Sequence, residues 1–373
     1  MKLGILLCTI LLLTGCTTNT IEKALGSNHP AIQRVMDSLP KHEVQILWTQ
    51  IDTTEDGKLR FQEHSFQVDK KQYFYPASTV KLPMALLAAE YISVNPPLNI
   101  DVNYVSSRDT LIHTVADDIR QIFAVSDNEA FNRLYEALGR DYVNERLAAL
   151  NLSPVRIAHR LSTSKADAAE RSTVKFFPTY EGKVVELGNA SDKSIEKVSA
   201  KGLQKGQAFI EDGALVSTPF DFSEKNYFPL ETQHEIMKRV FFPEQFRESE
   251  QFKLNPYVRE RLINAMQLPP RSVGYDEKEY PDSHVKFFMY GDSQERIPEH
   301  VKIYNKVGYA YGTLTETAYI RDEITGVHFL LSATIFVNEN EVFNDDTYEF
   351  ETIGIPFMAQ LGREIYQLAL DSD

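Results

Sequence analysis

Cysteine and clustered positive charge are scarce in this sequence, and each absence excludes a class of protein. Cys8 and Cys16 are the only cysteines among the 373 residues, so a disulfide framework and a cysteine-based metal site are excluded. The formal net charge is −14 and no run of five basic residues occurs. The chain therefore lacks the positive surface that attracts nucleic-acid phosphates, and we expect no nucleic-acid partner.

Motifs for cofactors and repeats are also missing. The sequence contains no Gly-rich phosphate loop, no spacing typical of metal-binding histidines, no internal repeat and no low-complexity tract. A metallohydrolase has no support, and we expect neither a metal nor another cofactor. With 43% hydrophobic residues, the chain is long enough for one large domain or two ordinary ones.

The first residues have the layout of a secretory signal. Lys2 precedes an apolar segment, residues 3–13, that is too short to span a bilayer as a permanent helix. The ending Leu13-Thr14-Gly15-Cys16 resembles the bacterial lipobox, which implies removal of residues 1–15 and lipidation of Cys16. Residues 16–29 would then tether the protein to a membrane, facing the periplasm or the cell surface. An ordinary signal with a chance cysteine is the alternative.

Two strands are predicted on either side of a turn at residues 53–58. Alternating apolar residues in "EVQILWTQID" and "KLRFQEHSFQVD" favour a β-hairpin. The turn also matches most of a calcium-loop template, with Gly57 at its sixth position and Glu63 at its twelfth. Because an EF-hand needs a helix on each side, the alternation favours the hairpin.

The stretch "YPASTVKLPMALLAAEYI", residues 75–92, places a serine and a lysine three positions apart before an apolar segment. If a helix begins near Ser78, then Ser78 and Lys81 lie one turn apart on one face, and their polar ends can share a proton. A lysine of lowered pKa can activate a serine hydroxyl as a nucleophile. Pro83 favours a helix that starts here, because proline fits a first turn. Ser-x-x-Lys alone often arises by chance.

Two further patterns follow along the chain. Ser126-Asp127-Asn128 precedes a predicted helix and, taken alone, is an ordinary N-cap cluster. Lys306-Val307-Gly308 lies in an alternating segment that predicts antiparallel strands around a turn at Ile324-Thr325-Gly326. Neither pattern is diagnostic by itself.

In this order, the three patterns resemble the motifs of the penicillin-recognising serine hydrolases, most closely those of class A β-lactamases. The resemblance covers most of residues 30–373 and implies a β-lactamase/transpeptidase-like α/β (α+β) fold. It comprises an antiparallel β-sheet flanked by helices, with a mostly helical lobe inserted between early and late strands. The implied sheet lobe covers about 30–75 and 295–373, the helical lobe covers about 76–294, and the active site lies between them. We expect a monomer.

The resemblance also implies catalytic roles. Ser78 would be the acylated nucleophile, Lys81 its proton acceptor, and Ser126 the relay of that proton to the leaving nitrogen. Lys306 would keep Lys81 partly neutral by charge repulsion and hold substrate anions.

Substrate-binding roles follow in the same way. Asn128 would orient the substrate side-chain amide, while Asp127 would support its own loop. The backbone N–H groups of Ser78 and Tyr309 would form the oxyanion hole, and Gly308 would permit a close backbone approach.

The sequence departs from the family pattern at two places. Val307 stands where class A enzymes have a threonine or serine whose hydroxyl helps to hold the substrate carboxylate. The Glu-x-x-Leu-Asn pattern, which supplies the deacylating glutamate of the family, is missing downstream of Ser126. Glu170, Glu211 and His159 are possible replacements, but their spacing does not distinguish them from surface or loop residues.

Ser126 and Lys306 are 180 residues apart, which is more than class A enzymes typically have. The excess falls at about residues 163–225, where short alternating segments with glycine, serine and lysine predict an added hairpin and an enlarged loop near the site.

Three functions remain open at this point. The first is a class A β-lactamase-like serine hydrolase that is acylated at Ser78 by a β-lactam or a related amide or ester. The second is a cell-wall D-Ala-D-Ala peptidase or an esterase-type acyl-transfer enzyme. The third is a catalytically weak, lipid-anchored penicillin-binding surface protein, against which the presence of all four predicted catalytic residues argues.

Overall fold

The computed structural model describes residues 20–54, 56–178 and 183–371. The predicted signal, Cys16 and the first residues of the tether lie outside this part of the chain. Within the described ranges, no helix is both long enough and apolar enough to cross a membrane.

The helices occur near the N-terminus, in the middle of the chain and near the C-terminus. They are α1 (Thr20–Leu25), α2 (Pro30–Met36), α3 (Leu39–His42), α4 (Lys81–Val94), α5 (Val115–Ala124), α6 (Asn128–Leu138), α7 (Arg140–Ala149), α8 (Leu230–Phe241), α9 (Pro256–Met266) and α10 (Ile355–Leu370). Short 3₁₀ turns cover Ala77–Val80, Pro243–Gln245, Glu248–Glu250, Pro270–Val273 and Asp282–Val285, and a π-helical turn covers Phe350–Gly354.

In the described part of the chain, the strands form one large sheet and three small ones. They are β1 (Gln45–Thr53), β2 (Leu59–Phe66), β3 (Asn103–Ser106), β4 (Ile112–Thr114), β5 (Val174–Phe176), β6 (Val185–Leu187), β7 (Gln204–Lys205), β8 (Ala208–Glu211), β9 (Ala214–Val216), β10 (Phe220–Asp221), β11 (Val301–Ala310), β12 (Thr313–Asp322), β13 (His328–Phe336) and β14 (Val342–Phe343).

The large sheet has five antiparallel strands in the order β11-β12-β13-β1-β2. β1 and β2 form the predicted hairpin, in which Thr53 pairs with Leu59. Strands rather than helices flank the intervening turn, so the EF-hand interpretation is excluded. Pairing of β1 with β13 joins early and late parts of the chain. The prediction of an antiparallel sheet flanked by helices is confirmed.

The two faces of this sheet pack against different groups of helices, because successive side chains of a strand point to opposite sides. Trp48 and Val307 belong to a core cluster that also contains side chains of α1, α2 and α10. Tyr319 and Leu330 belong to a second cluster that also contains side chains of helices α4 to α9. The middle part of the chain, apart from its inserted strands, therefore forms a helical layer on one face only.

Helix α4 is the central helix of this layer. It is apolar on nearly every side, and Leu82, Met84 and Leu86 are fully buried. A helix that is hydrophobic all round belongs in the interior of a protein. Pro83 lies in the first turn, where the missing N–H removes no helical hydrogen bond. Because Lys81 is the first residue of α4, packing of the helix also buries the lysine side chain completely.

The predicted enlarged loop at about 163–225 contains short strands. β5 and β6 extend a four-stranded sheet of order β4-β3-β5-β6, and β8 and β9 form a hairpin. β8 also pairs in parallel with β14, far away in sequence. A hairpin is thus present in this region, and pairing with β14 joins it to the C-terminal part of the chain.

An aromatic cluster fixes the inserted strands against the main sheet. Phe220 stacks on Tyr311 with ring centroids 5.4 Å apart, and it contacts Phe222 edge-to-face at 4.8 Å. Tyr75 contacts Tyr311 edge-to-face at 4.9 Å. Since Tyr75 precedes Ser78 and Tyr311 follows β11, this cluster connects the insertion to both sides of the predicted site.

Candidate active site

Ser78 lies in the 3₁₀ turn Ala77–Val80, which leads directly into α4. Ala77 has a φ of 45°, a left-handed backbone conformation that is costly for a residue with a side chain and is often found at functional sites. One turn later, the Nζ atom of Lys81 lies 2.9 Å from the Oγ atom of Ser78. The structure thus brings the predicted nucleophile and the predicted base into contact.

The ammonium group of Lys81 is surrounded by oxygen atoms. Its Nζ atom lies 2.7 Å from Oδ1 of Asn128 and 3.2 Å from Oγ of Ser126, and it also donates to the carbonyl oxygen of Ser126. Burial disfavours the charged form and lowers the pKa of Lys81 to about 7, against the opposing effect of Asp127. Near neutral pH the amine is therefore partly unprotonated and able to accept a proton.

Lys306 approaches the same hydroxyl from the strand side of the site. Its Nζ atom lies 2.8 Å from Oγ of Ser126, and the side chain is completely buried. Burial and the positive charges of Lys81 and Lys286 lower the pKa of Lys306 well below its ordinary value. Ser126, at a φ of 57°, contacts both lysines, so a proton can pass from one to the other through its hydroxyl.

Burial is the main cause of the lowered pKa of Lys81. Burial also lowers the pKa of Lys306, and the positive charge of Lys81 adds to this effect. Repulsion between two ammonium groups is mutual, so the expected effect of Lys306 on Lys81 stays a prediction. Both effects require the packed interior, which a motif does not reveal.

Gly308 lies directly against the turn that carries Ser78. A Cβ atom at this position would be 2.6 Å from the carbonyl oxygen of Pro76 and 2.9 Å from the backbone nitrogen of Ser78. Both contacts are to backbone atoms, so a side chain would force β11 and the turn apart. Glycine therefore permits the close approach that the predicted oxyanion hole of the Ser78 and Tyr309 amides requires.

The remaining residues of the Ser-Asp-Asn motif have distinct positions. Asp127 caps α6, with its Oδ1 atom accepting a hydrogen bond of 2.6 Å from the backbone of Ala130. This placement agrees with the loop-supporting role predicted for it. Asn128 donates from Nδ2 to the Oγ atom of Ser162 at 3.0 Å, in addition to its contact with Lys81. Ser162 was not identified from the sequence, and its surrounding segment has no recognisable spacing.

A cavity of about 970 Å³ opens beside Ser78. Its wall includes Ser126 and Asn128 on one side and residues of the inserted segment on the other. Phe209 and Phe220 of that segment were not assigned to the site from the sequence, because short strands rich in aromatic residues have no spacing that is specific for binding.

The three possible deacylating residues occupy different places. Glu170 is exposed and lies outside the residues that line the cavity. Glu211 lines the cavity from β8 and is exposed. His159 lines it from a buried position, with its Nδ1 atom 2.6 Å from the carbonyl oxygen of Arg160. Burial lowers the pKa of His159 to about 4, so this imidazole is neutral and weakly basic at pH 7.

Among the described residues, no group of three or more histidine, cysteine, aspartate or glutamate side chains is placed to hold a metal ion. Proton transfer through Ser126 and the two lysines is the chemistry that the described side chains support.

Comparison with solved structures identifies the fold. The chain matches a mutant of PBP-A, solved as an acyl-enzyme complex with penicillin G, with a TM-score of 0.54 and 13% identity, over 96% of this chain and 98% of that one. A β-lactamase from Xanthomonas campestris pv. campestris matches with a TM-score of 0.52 and 12% identity, over 93% and 97% of the two chains. The chain has the fold of the β-lactamases and PBP-A. A β-lactamase from Desulfarculus baarsii matches equally well, with a TM-score of 0.52 and 12% identity, over 93% of this chain and 96% of that one.

Sequence comparison reaches part of the chain. A model of the beta-lactamase enzyme family matches residues 29–187, which include Ser78, Lys81 and Ser126 but not Lys306. None of the curated proteins matches the chain. The matches to solved structures confirm the β-lactamase-type fold that was predicted from the three motifs.

Proposed function

We propose that this protein is a serine hydrolase of the β-lactamase and penicillin-binding type, in which β-lactams or related amides and esters acylate Ser78. The observation that carries this proposal is the distance of 2.9 Å between the Nζ atom of Lys81 and the Oγ atom of Ser78, with the pKa of Lys81 near 7. A nucleophile beside a partly neutral base is the arrangement that covalent catalysis needs. The β-lactamase family match supports the same conclusion.

In the proposed acylation, the Oγ atom of Ser78 attacks the substrate carbonyl carbon while its proton passes to Lys81. The carbonyl oxygen becomes negatively charged and accepts hydrogen bonds from the amides of Ser78 and Tyr309. The bond to the leaving nitrogen then breaks, and that nitrogen takes a proton from Ser126. Ser126 regains a proton from the lysines, since its hydroxyl contacts both Lys81 and Lys306.

A second candidate is acyl transfer on cell-wall D-Ala-D-Ala peptides or on esters. The size of the cavity, about 970 Å³, favours this alternative, because it lies at the upper end of the usual range for small-molecule sites. The same four side chains would carry the acylation step. A binding protein without turnover has less support, since binding alone needs no proton relay between Lys81 and Lys306.

Covalent labelling tests the proposal. We expect a fluorescent penicillin and a fluorophosphonate each to form an adduct on Ser78, which peptide mapping by mass spectrometry will locate. Ser78→Ala should remove the adduct, while Ser223→Ala, a matched serine lining the cavity, should retain it. Folded protein that reacts with neither probe would contradict the proposal and favour the binding protein.

We also propose that the mature protein is a lipoprotein anchored at Cys16, on the basis of the Leu13-Thr14-Gly15-Cys16 ending. Metabolic labelling with a fatty-acid analogue should mark the protein, and Cys16→Ser should abolish the label. Recovery of cleaved but unlabelled wild-type protein would disprove lipidation and leave an ordinary secretory signal.

A further inference from the structure

Among the described lysines that line the cavity beside Ser78, Lys225 has a charge without a carboxylate partner. Among the arginine and lysine side chains that line it, Arg160 lies 2.6 Å from Oε1 of Glu136, and Lys197 lies 2.9 Å from Oε1 of Glu224. Over the described residues, Lys225 has no ion pair and no side-chain hydrogen bond. A half-buried ammonium group without a counter-ion is available to a negatively charged ligand.

The ammonium group of Lys225 is placed above an aromatic ring. Its Nζ atom lies 5.7 Å from the ring centroid of Phe220, a distance at which a cation is attracted by the ring face. Phe220 in turn stacks on Tyr311, which directly follows β11. Lys225 is therefore connected through Phe220 and Tyr311 to the end of β11, the strand that carries Gly308 beside the nucleophile.

The backbone at Lys225 is also held in place. Its carbonyl oxygen accepts a hydrogen bond of 2.5 Å from Nη1 of the buried Arg156, which also donates to the carbonyl oxygen of Glu224 at 2.7 Å. The neighbouring Asn226 accepts a hydrogen bond of 2.7 Å from the backbone of Ala158. The backbone that carries Lys225 is therefore fixed before an anion binds, so less conformational entropy is lost on binding.

Position 307 does not supply the polar contact that its counterpart has in the resembled family. Val307 belongs to the core cluster on the opposite face of the sheet and is 1% exposed. The cavity thus gains no hydroxyl from this residue.

We propose that Lys225 binds an anionic group of the substrate, a carboxylate remote from the reacting carbonyl, and so selects negatively charged acyl groups. This inference rests on the proposed acylation of Ser78. Asp167, Glu211 and Asp221 line the same cavity, but all three are exposed, so solvent and salt weaken their repulsion of the anion. Glu224 is neutralised by Lys197.

Pairs of fluorophosphonate probes test this selection. The two members of a pair share one alkyl spacer and end either in a carboxylate or in a neutral carboxamide, and spacers of increasing length are compared. In each reaction the Oγ atom of Ser78 forms a bond to phosphorus, fluoride leaves, and the serine proton passes to Lys81. The second-order rate constant of labelling is measured for both probes by intact-mass spectrometry.

For the wild-type protein we expect the carboxylate probe to react about tenfold faster at the best spacer length, as a charge-assisted hydrogen bond predicts. Lys225→Gln should bring this ratio close to one, and Lys225→Glu should reverse it. Lys201→Gln is the matched control, since it removes the same charge from the inserted segment but lies outside the cavity lining, and it should keep the wild-type ratio.

Equal rates for both probes at every spacer length would overturn the role of Lys225 and leave the proposed acylation intact. A preference that persists in Lys225→Gln would do the same. If neither probe labels folded protein, the proposed function fails, and the selection by Lys225 fails with it.

Discussion

Replacing Lys81 with methionine is expected to slow acylation of Ser78 by about 10²- to 10⁴-fold, the usual effect of losing a positioned general base. The physical reason is that the Nζ atom of Lys81, which is fully buried, lies 2.9 Å from the hydroxyl of Ser78 and is the base that accepts its proton. Methionine keeps an unbranched apolar chain of similar length inside the core cluster around α4, but it cannot accept a proton.

The pH dependence of the wild-type protein provides a second readout of the same group. The pKa of Lys81 lies near 7, so below this pH the lysine holds its proton and cannot take one from Ser78. The acylation rate should therefore rise as the pH increases through about 7 and then level off. The rise should be absent from the residual rate of Lys81→Met.

Stopped-flow measurement of acylation by a chromogenic β-lactam between pH 5 and 9 would test both expectations. Lys205→Met is a suitable control, because this lysine is also buried but lies outside the cavity lining and pairs with Glu43. Wild-type rates in Lys81→Met would place the base elsewhere. A wild-type rate that does not change with pH would contradict the assignment of the titrating group.

Penicillin bound to Ser78 is expected to remain as a long-lived acyl-enzyme. Deacylation needs a water molecule and a base that removes its proton, and a missing base slows the step by about 10²- to 10⁴-fold. Ser162, which contacts Asn128, offers only a hydroxyl group, and a hydroxyl is not basic enough at neutral pH to take a proton from water. His159 is buried with its pKa near 4, too low for an efficient base at pH 7.

Intact-mass spectra recorded after mixing with benzylpenicillin should show the adduct persisting while little product forms. Removal of excess penicillin and a time course of adduct loss would give the deacylation rate directly. Rapid turnover without an accumulating adduct would contradict the expectation. Comparison of His159→Gln with Glu211→Gln would then identify which cavity residue serves as the base, since both line the cavity.

Several features of the site could be predicted from local sequence. Ser78 and Lys81 are three residues apart before an apolar helix, and helical geometry alone places such residues on one face. Alternation along β11 likewise predicted a strand for Lys306, and an N-cap cluster was predicted at Ser126-Asp127-Asn128, of which Asp127 caps α6. Their assembly into one site was expected only from the resemblance to a family, because no local rule brings together residues that are 180 positions apart.

Other features depended on contacts between distant segments. Asn128 meets Ser162 across 34 positions, and Lys225 is positioned by Arg156 across 69 positions. The segments concerned contain only short strands or no strand. The alternation of apolar residues typical of a strand, and the 3.6-residue repeat typical of a helix, therefore do not continue long enough to be recognised. The aromatic wall was missed for the same reason, since Phe220 and Tyr311 become neighbours only when β10 folds against the end of β11.

The sequence by itself predicted the candidate reactive groups and the helix and strands that carry them, and the resemblance to a family added the departures at Val307 and at the deacylating glutamate. Only the tertiary structure decided that burial is the main cause of the lowered pKa of Lys81, and that Lys225 is left without a carboxylate partner among the described residues. The physical reason is the separation along the chain over which each effect acts. Helix and strand geometry relates residues a few positions apart, whereas desolvation and pairing of charges depend on every segment that packs around them.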